Sequence, residues 1–182
     1  INDFEMAFQS VNVALQLSKQ LNDKKRELRI MNTIANIYDS KGDREKAIEI
    51  YKNLVSKAKI GDDTKSNISV WYYNLANTLM KVGKFNESKD YISKGMQIIS
   101  EEPNEKMHAY YYLAKAQINT EEKDFKNALQ NIQIAEEHFT KNSILVRIAD
   151  CHYFRTKVFL AKEDFNKAEV FIKKSIDIYK QN

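Results

Sequence analysis

The sequence predicts an all-α fold: about nine helices arranged as antiparallel pairs in a repeat array. Three observations carry this. A small residue recurs at near-constant spacing, with Ala7, Ala47, Ser88, Ala128 and Ala168 separated by 40, 41, 40 and 40 residues. A turn phrase precedes each of them: Asn2-Asp3-Phe4, Gly42-Asp43-Arg44, Gly83-Lys84-Phe85, Lys123-Asp124-Phe125 and Glu163-Asp164-Phe165. Finally, 182 residues contain only one Pro and four Gly, too few breakers for a turn-rich β fold, while 43% hydrophobic residues suffice for a core.

The spacing divides a single domain, 1–182, into a half repeat at 1–22 and full repeats at 25–60, 64–101, 105–140 and 144–181. In the first full repeat Met31, Ile34, Ala35 and Tyr38 form one apolar helical stripe. Gly42 supplies the left-handed residue that ends a helix, and Ala47, Tyr51, Leu54 and Ala58 give the partner stripe. The next repeat follows suit with Tyr72, Leu75, Ala76 and Leu79, then Gly83, then Ser88, Ile92 and Gly95. The small residues at 35 and 47, and at 76 and 88, predict close helix crossings. Gly61-Asp62-Asp63-Thr64 and Glu101-Glu102-Pro103-Asn104 read as stops followed by N-caps. The third full repeat has Leu113-Ala114 where the period asks for Lys115-Ala116, which predicts a two-residue insertion in the turn from Asn119 to Lys123. In the last one His152, Arg155 and Thr156 occupy core positions, which predicts a rotated or partly exposed helix.

The half repeat is one helix, Asp3 to Leu21. Its Met6, Val13 and Leu17 lie off the main stripe of Phe4, Ala7, Val11 and Ala14, and Val170 and Ile178 lie off the stripe of the last helix. The expectation is a fragment of a longer chain, with homo-oligomerisation through the end helices as another way to cover those faces.

These phrases resemble the tetratricopeptide repeat family, most clearly through Trp71-Tyr72, Leu75, Ala76, Gly83, Phe85 and Ser88. The resemblance covers nearly the whole chain and implies a right-handed superhelical solenoid. A 40-residue period exceeds the usual 34 by about one and a half helical turns. Such long repeats are similar to the sensor domains of Gram-positive peptide-pheromone regulators, which implies a bacterial, cytoplasmic, peptide-sensing transcriptional regulator.

Other function classes find no support. The net charge of +4 comes from 29 basic and 25 acidic residues that are well mixed, so direct nucleic-acid binding by this segment is not expected. No stretch is apolar enough to span a membrane. The single cysteine excludes an internal disulfide framework and fits a reducing compartment. No phosphate-cradling glycine loop, nucleophile elbow or zinc-ligand helix appears, so neither an enzyme, a metal site nor a cofactor is expected. Cys151 and His152 are adjacent on a helix and point about 100° apart, which prevents a dyad.

The functional signal lies opposite each first-helix core stripe, on the concave side of a stacked array. The residues expected there include Arg29, Asn32, Thr33, Asn36 and Asp39, then Tyr73, Asn74, Asn77 and Lys81, then His108, Tyr111, Tyr112 and Lys115, and finally Asp150, Tyr153, Phe154 and Lys157. The candidate peptide-binding set is Asn32, Asn36, Tyr73, Asn74, Asn77, Tyr112, Lys115, Tyr153 and Lys157. Asparagine is a middling helix former, yet its amide both donates and accepts, which suits the backbone of an extended peptide. The resemblance implies the same role for asparagines at 36, 74 and 77. The expected function is a peptide- or protein-binding module; the alternative is a scaffold for complex assembly or oligomerisation with no small ligand.

Overall fold

The computed structural model describes residues 2–57, 63–100 and 105–181. Its helices are α1 (Asn2–Gln20), α2 (Lys24–Lys41), α3 (Arg44–Lys57), α4 (Lys65–Lys81), α5 (Phe85–Ile99), α6 (Glu105–Glu121), α7 (Phe125–Lys141), α8 (Leu145–Ala161) and α9 (Phe165–Gln181). Among the described residues there is no β-strand. Two compact units result, residues 1–102 with α1–α5 and residues 103–182 with α6–α9. Gly61, Asp62 and the Glu101–Asn104 stop lie outside the described residues. Thr64 caps α4 as the sequence suggests, its hydroxyl accepting the Asn67 amide at 3.2 Å.

Six described turns close in one way. Asn22, Gly42, Gly83, Lys123, Ser143 and Glu163 all have positive φ, between 52° and 94°. The amide of the next residue donates to a carbonyl five residues back: Asp23 to Ser18, Asp43 to Tyr38, Lys84 to Leu79, Asp124 to Asn119, Ile144 to Phe139 and Asp164 to Phe159. This bond satisfies an orphan carbonyl at the end of the outgoing helix. Where that next residue is Asp, its carboxylate also accepts an amide of the incoming helix, as Asp43 does from Lys46, Asp124 from Asn127 and Asp164 from Lys167. One dipeptide therefore stops one helix and starts the next, which is why the turn phrase recurs.

Gly42 and Gly83 have nothing within 4 Å of a would-be Cβ, so they are there for their backbone angle alone. Glu163 adopts that angle (φ 60°) with a side chain. Glu163→Gly is expected to stabilise the protein by about 0.5–1 kcal/mol, the relief of left-handed strain less the greater freedom of unfolded glycine. A thermal midpoint that stays level or falls contradicts this.

Small residues twelve apart mark each crossing. Ala35 and Ala47, Ala76 and Ser88, Ala116 and Ala128, and Thr156 and Ala168 are all buried. At the second of these the Ser88 hydroxyl donates to the Ala76 carbonyl at 2.9 Å. The same alignment corrects the expected insertion. The turns from α4 to α5 and from α6 to α7 both hold three residues, 82–84 and 122–124, and Ala116 rather than Ala114 takes the small-residue position. Buried residues on both sides of α6, Ala109 and Leu113 on one and Tyr111 and Ile118 on the other, blurred the apolar register.

The last repeat is not rotated. Thr156 is 6% exposed and donates to the His152 carbonyl at 3.0 Å, so its hydroxyl is satisfied within the helix. Arg155, 8% exposed, bonds Glu136 at 2.7 Å and Gln133 at 2.7 Å on α7. At the other end of the chain Met6, Val13 and Leu17 are exposed on α1, while Phe8, on its other side, packs its ring 4.8 Å from that of Tyr38.

Candidate functional site

On α2 Asn32, Asn36 and Asp39 form one stripe at i, i+4 and i+7 that borders the buried Leu28 and Ala35. On α4 the burial of Leu75, Ala76 and Leu79 leaves Asn74 and Lys81 beside that stripe. The two stripes meet. The Asn74 amide nitrogen donates to Asn32 Oδ1 at 3.0 Å and to Asn36 Oδ1 at 3.3 Å, and Lys81 Nζ pairs with Asp39 Oδ2 at 2.5 Å. From beneath, the hydroxyl of Tyr51 on α3 donates to Asn36 Oδ1 at 2.5 Å. Tyr51 is 1% exposed, and burial, helped by the Asp39 charge, holds its phenol protonated well above the usual range.

This network leaves defined hydrogen-bonding capacity. Asn36 Oδ1 already accepts two bonds and the Asn74 NH₂ donates two. Neither the NH₂ groups of Asn32 and Asn36 nor Oδ1 of Asn74 have a partner among the described residues. Two NH₂ groups and one carbonyl oxygen therefore keep hydrogen-bonding capacity, the donor and acceptor types that an extended backbone needs. Asn74 is half-buried rather than solvent-facing as expected, and Asn77 and Tyr73 are half-buried on α4 too.

Asp63, before α4, ties the start of that helix to α2. Its buried carboxylate accepts a fork from Arg29 Nε and Nη2, both at 2.8 Å, together with the Asn67 side-chain amide at 3.1 Å and the Thr64 backbone amide at 2.8 Å. The Arg29 bonds, seconded by Asn67 and Thr64, hold the Asp63 carboxyl well below the usual carboxylate range. Its folded pKa thus lies under the unfolded value of about 3.9, so the stability it contributes is full above that value and lost as pH falls below it. The thermal midpoint is expected to drop between about pH 5 and pH 2, and Asp63→Asn to lower the neutral-pH midpoint while flattening that drop. An unchanged acid limb in the variant contradicts this assignment.

In the second unit Tyr112 and Lys115 lie on α6 and Tyr153 and Lys157 on α8. Each lysine covers its neighbouring ring, Lys115 Nζ at 5.9 Å from the Tyr112 centroid and Lys157 Nζ at 5.6 Å from that of Tyr153. Lys157 also lines a cleft of 340 Å³ with Thr120, Glu121, Lys123, Leu160 and Ala161. Several expected groove residues are otherwise engaged. Tyr111 is fully buried, because it aligns with the core residue Trp71 once the turn length is corrected. Asp150 is held by Arg147 Nη1 at 2.7 Å and by the Tyr179 hydroxyl, while Phe154 packs on the core. Sequence reasoning missed Gln117, which follows Asn77 by one 40-residue period and is half-buried; the mistaken insertion hid it. It also missed Tyr51, whose helical stripe marked it simply as core.

Catalytic readings of the remaining reactive groups lack a geometry. Cys151 is fully buried, and burial, with the Glu136 charge, pushes its thiol up to about 12. His152 Nδ1 lies 3.4 Å from Glu136 Oε1; burial, with nearby Arg155 and Lys174, outweighs that carboxylate and lowers its pKa. Among the described residues no three His, Cys, Asp or Glu side chains are grouped to hold a metal, and no helix is long and apolar enough to cross a membrane.

Comparison with known proteins gives a family and a fold. The model of the RNPP family C-terminal domain matches residues 2–167. No curated protein matches. Among solved structures, BtubC (BKLC) from P. vanneervenii superposes with a TM-score of 0.75 at 16% identity, over 98% of this chain and 74% of that one. The apo form of RapI gives 0.73 at 16% identity, over 100% of this chain and 50% of its own. YrrB, described as a TPR protein with an unusual peptide-binding site, gives 0.53 at 17% identity over 94% and 86%. At these identities the likeness is one of fold, a TPR-like array of helix pairs.

Proposed function

The chain belongs to the RNPP C-terminal domain family, and from that premise we propose that it is a peptide-binding module whose first unit holds an extended peptide across α2 and α4. One observation carries the reading. Asn74, Asn32 and Asn36 are bonded to each other and to Tyr51, yet keep two NH₂ groups and one carbonyl oxygen without a partner among the described residues. A pre-set array of this kind binds backbone without first being ordered, which lowers the entropic cost of association. YrrB, a protein of similar fold, is described as having a peptide-binding site, which supports peptide binding as such. Tyr73 and Asn77 extend the α4 side of the site; separately, within the second unit, Tyr112, Lys115, Tyr153 and Lys157 offer aromatic and cationic groups of their own. The finer reading is the peptide-sensing domain of a bacterial cytoplasmic transcriptional regulator, supported by the family match.

The test is a random heptapeptide library selected against the 182-residue chain, with affinities of enriched peptides measured by calorimetry. Asn74→Ala and Asn36→Ala are each expected to weaken those peptides at least tenfold, about 1.4 kcal/mol, while the chain stays folded. Enriched peptides that bind both variants as tightly as the parent remove the α2–α4 face as the site.

A further inference from the structure

The amide network across α2 and α4 has two ways to close, because an amide keeps nearly the same shape when its oxygen and NH₂ are exchanged. As it stands, Asn74 Nδ2 donates to Asn32 Oδ1 at 3.0 Å and to Asn36 Oδ1 at 3.3 Å. Turning all three amides over rebuilds both bonds in the opposite sense, with Asn32 and Asn36 donating to Asn74 Oδ1. Among the asparagines alone the two arrangements are equivalent. They differ at Tyr51, whose hydroxyl donates to Asn36 Oδ1 at 2.5 Å. In the reversed network this hydroxyl can accept from the Asn36 NH₂, but its own proton loses its acceptor. Water does not replace that acceptor, since Tyr51 is 1% exposed. Nor does Asp39, whose charge reaches the phenol but whose Oδ1 has no hydrogen-bond partner. A buried donor left unpaired costs its full desolvation penalty, so the phenol favours one arrangement over the other.

We propose that Tyr51 is a positioning residue that fixes the sense of this network and thereby sets which ligand groups the α2–α4 face accepts. With the hydroxyl in place, the groups left over are the NH₂ of Asn32, the NH₂ of Asn36 and Oδ1 of Asn74. Asn36 is exposed and Asn32 and Asn74 are half-buried, so the network lies at the surface while the residue that orients it is buried. A ligand on this face therefore offers carbonyl oxygens to α2 and an N–H to α4. The reversed network demands the opposite, N–H groups toward α2 and a carbonyl toward α4. That ligand chemistry rests on the peptide-binding function proposed above; the choice of network sense by Tyr51 does not.

Isosteric substitution by Asp, which turns an NH₂ into an oxygen, reads the sense of the network in the 182-residue chain. In Asn36→Asp the carboxylate still accepts from Tyr51 and Asn74, and the thermal midpoint is expected to stay within about 2 °C of the parent's. In Asn74→Asp both inward donors are lost, and a fall of about 5 °C is expected. Asn32 and Asn36 can relieve that loss by turning their NH₂ groups inward, but only where no hydroxyl at position 51 is orphaned. Asn74→Asp is therefore expected to cost less than half as much when combined with Tyr51→Phe, and the double-mutant cycle cancels the effect of the added charge. Heptapeptides selected on the parent supply the ligand readout. Asn36→Asp exchanges an unused donor for an acceptor, so it is expected to weaken them roughly tenfold while the midpoint holds. Two outcomes overturn the role of Tyr51: an Asn74→Asp cost that is equal in both backgrounds, or an Asn36→Asp variant less stable than Asn74→Asp. The second comparison needs no change at Tyr51 and so stands whether or not Tyr51→Phe folds. Peptides that bind Asn36→Asp as tightly as the parent, alongside the expected cycle, instead overturn the peptide-binding function of this face.

Discussion

Glu136→Ala is expected to destabilise the second unit by about 3–5 kcal/mol, read as a fall in the urea midpoint. Arg155 is 8% exposed and its guanidinium lies 5.5 Å from the Phe171 ring centroid, so it has little access to water. Removing its carboxylate partner strands a charge against apolar walls, with only the Gln133 carbonyl left to accept from it. The pair itself need not be strongly stabilising, because bringing both ions out of water offsets most of their attraction. The double variant Glu136→Leu with Arg155→Met is therefore expected to recover most of the loss. If the single variant loses less than about 1 kcal/mol, Arg155 reaches solvent and the burial argument fails.

Trp71→Ala is expected to cost the first unit about 3–5 kcal/mol. Trp71 is the largest fully buried side chain described, 2% exposed, and lies in the cluster where Ala47, Tyr51 and Leu54 meet Leu75. Its removal leaves a void that the surrounding helices cannot close without breaking the small-residue crossings. Because it is the only tryptophan, unfolding must be followed by circular dichroism at the helical band rather than by fluorescence. The effect should extend to the amide site, since Tyr51 both packs in that cluster and holds Asn36.

The fold was legible wherever one residue's role depends only on its own helix. Ala47, Ser88, Ala128 and Ala168 could be read as crossing points because close approach demands a small side chain whatever lies opposite. Thr64 could be read as a cap because capping is local. Legibility ended where meaning depends on a partner far along the chain. Arg155 on a core stripe looked like a fault until Glu136 and Gln133, on another helix, were placed beside it. Tyr111 and Gln117 were misplaced because α6 buries residues on both sides, and periodicity cannot set register on such a helix. In the candidate site the asparagines were visible as an unusual residue type, but their mutual bonding was not. That bonding changes Asn74 from a solvent-facing contact into a half-buried brace.

Contacts in each unit run between neighbouring helices, with α2 to α4 and α6 to α8 as the longer-range exceptions. Low contact order favours fast folding, and stability then adds up from local pairs and their nearest interfaces. In such a chain, cooperativity is scarce between elements two steps apart. Asn32 to Asn74 and Asp39 to Lys81 are direct bonds across that gap. A peptide held at the proposed site would add further links between α2 and α4, so occupancy is expected to make α2, α3 and α4 melt together.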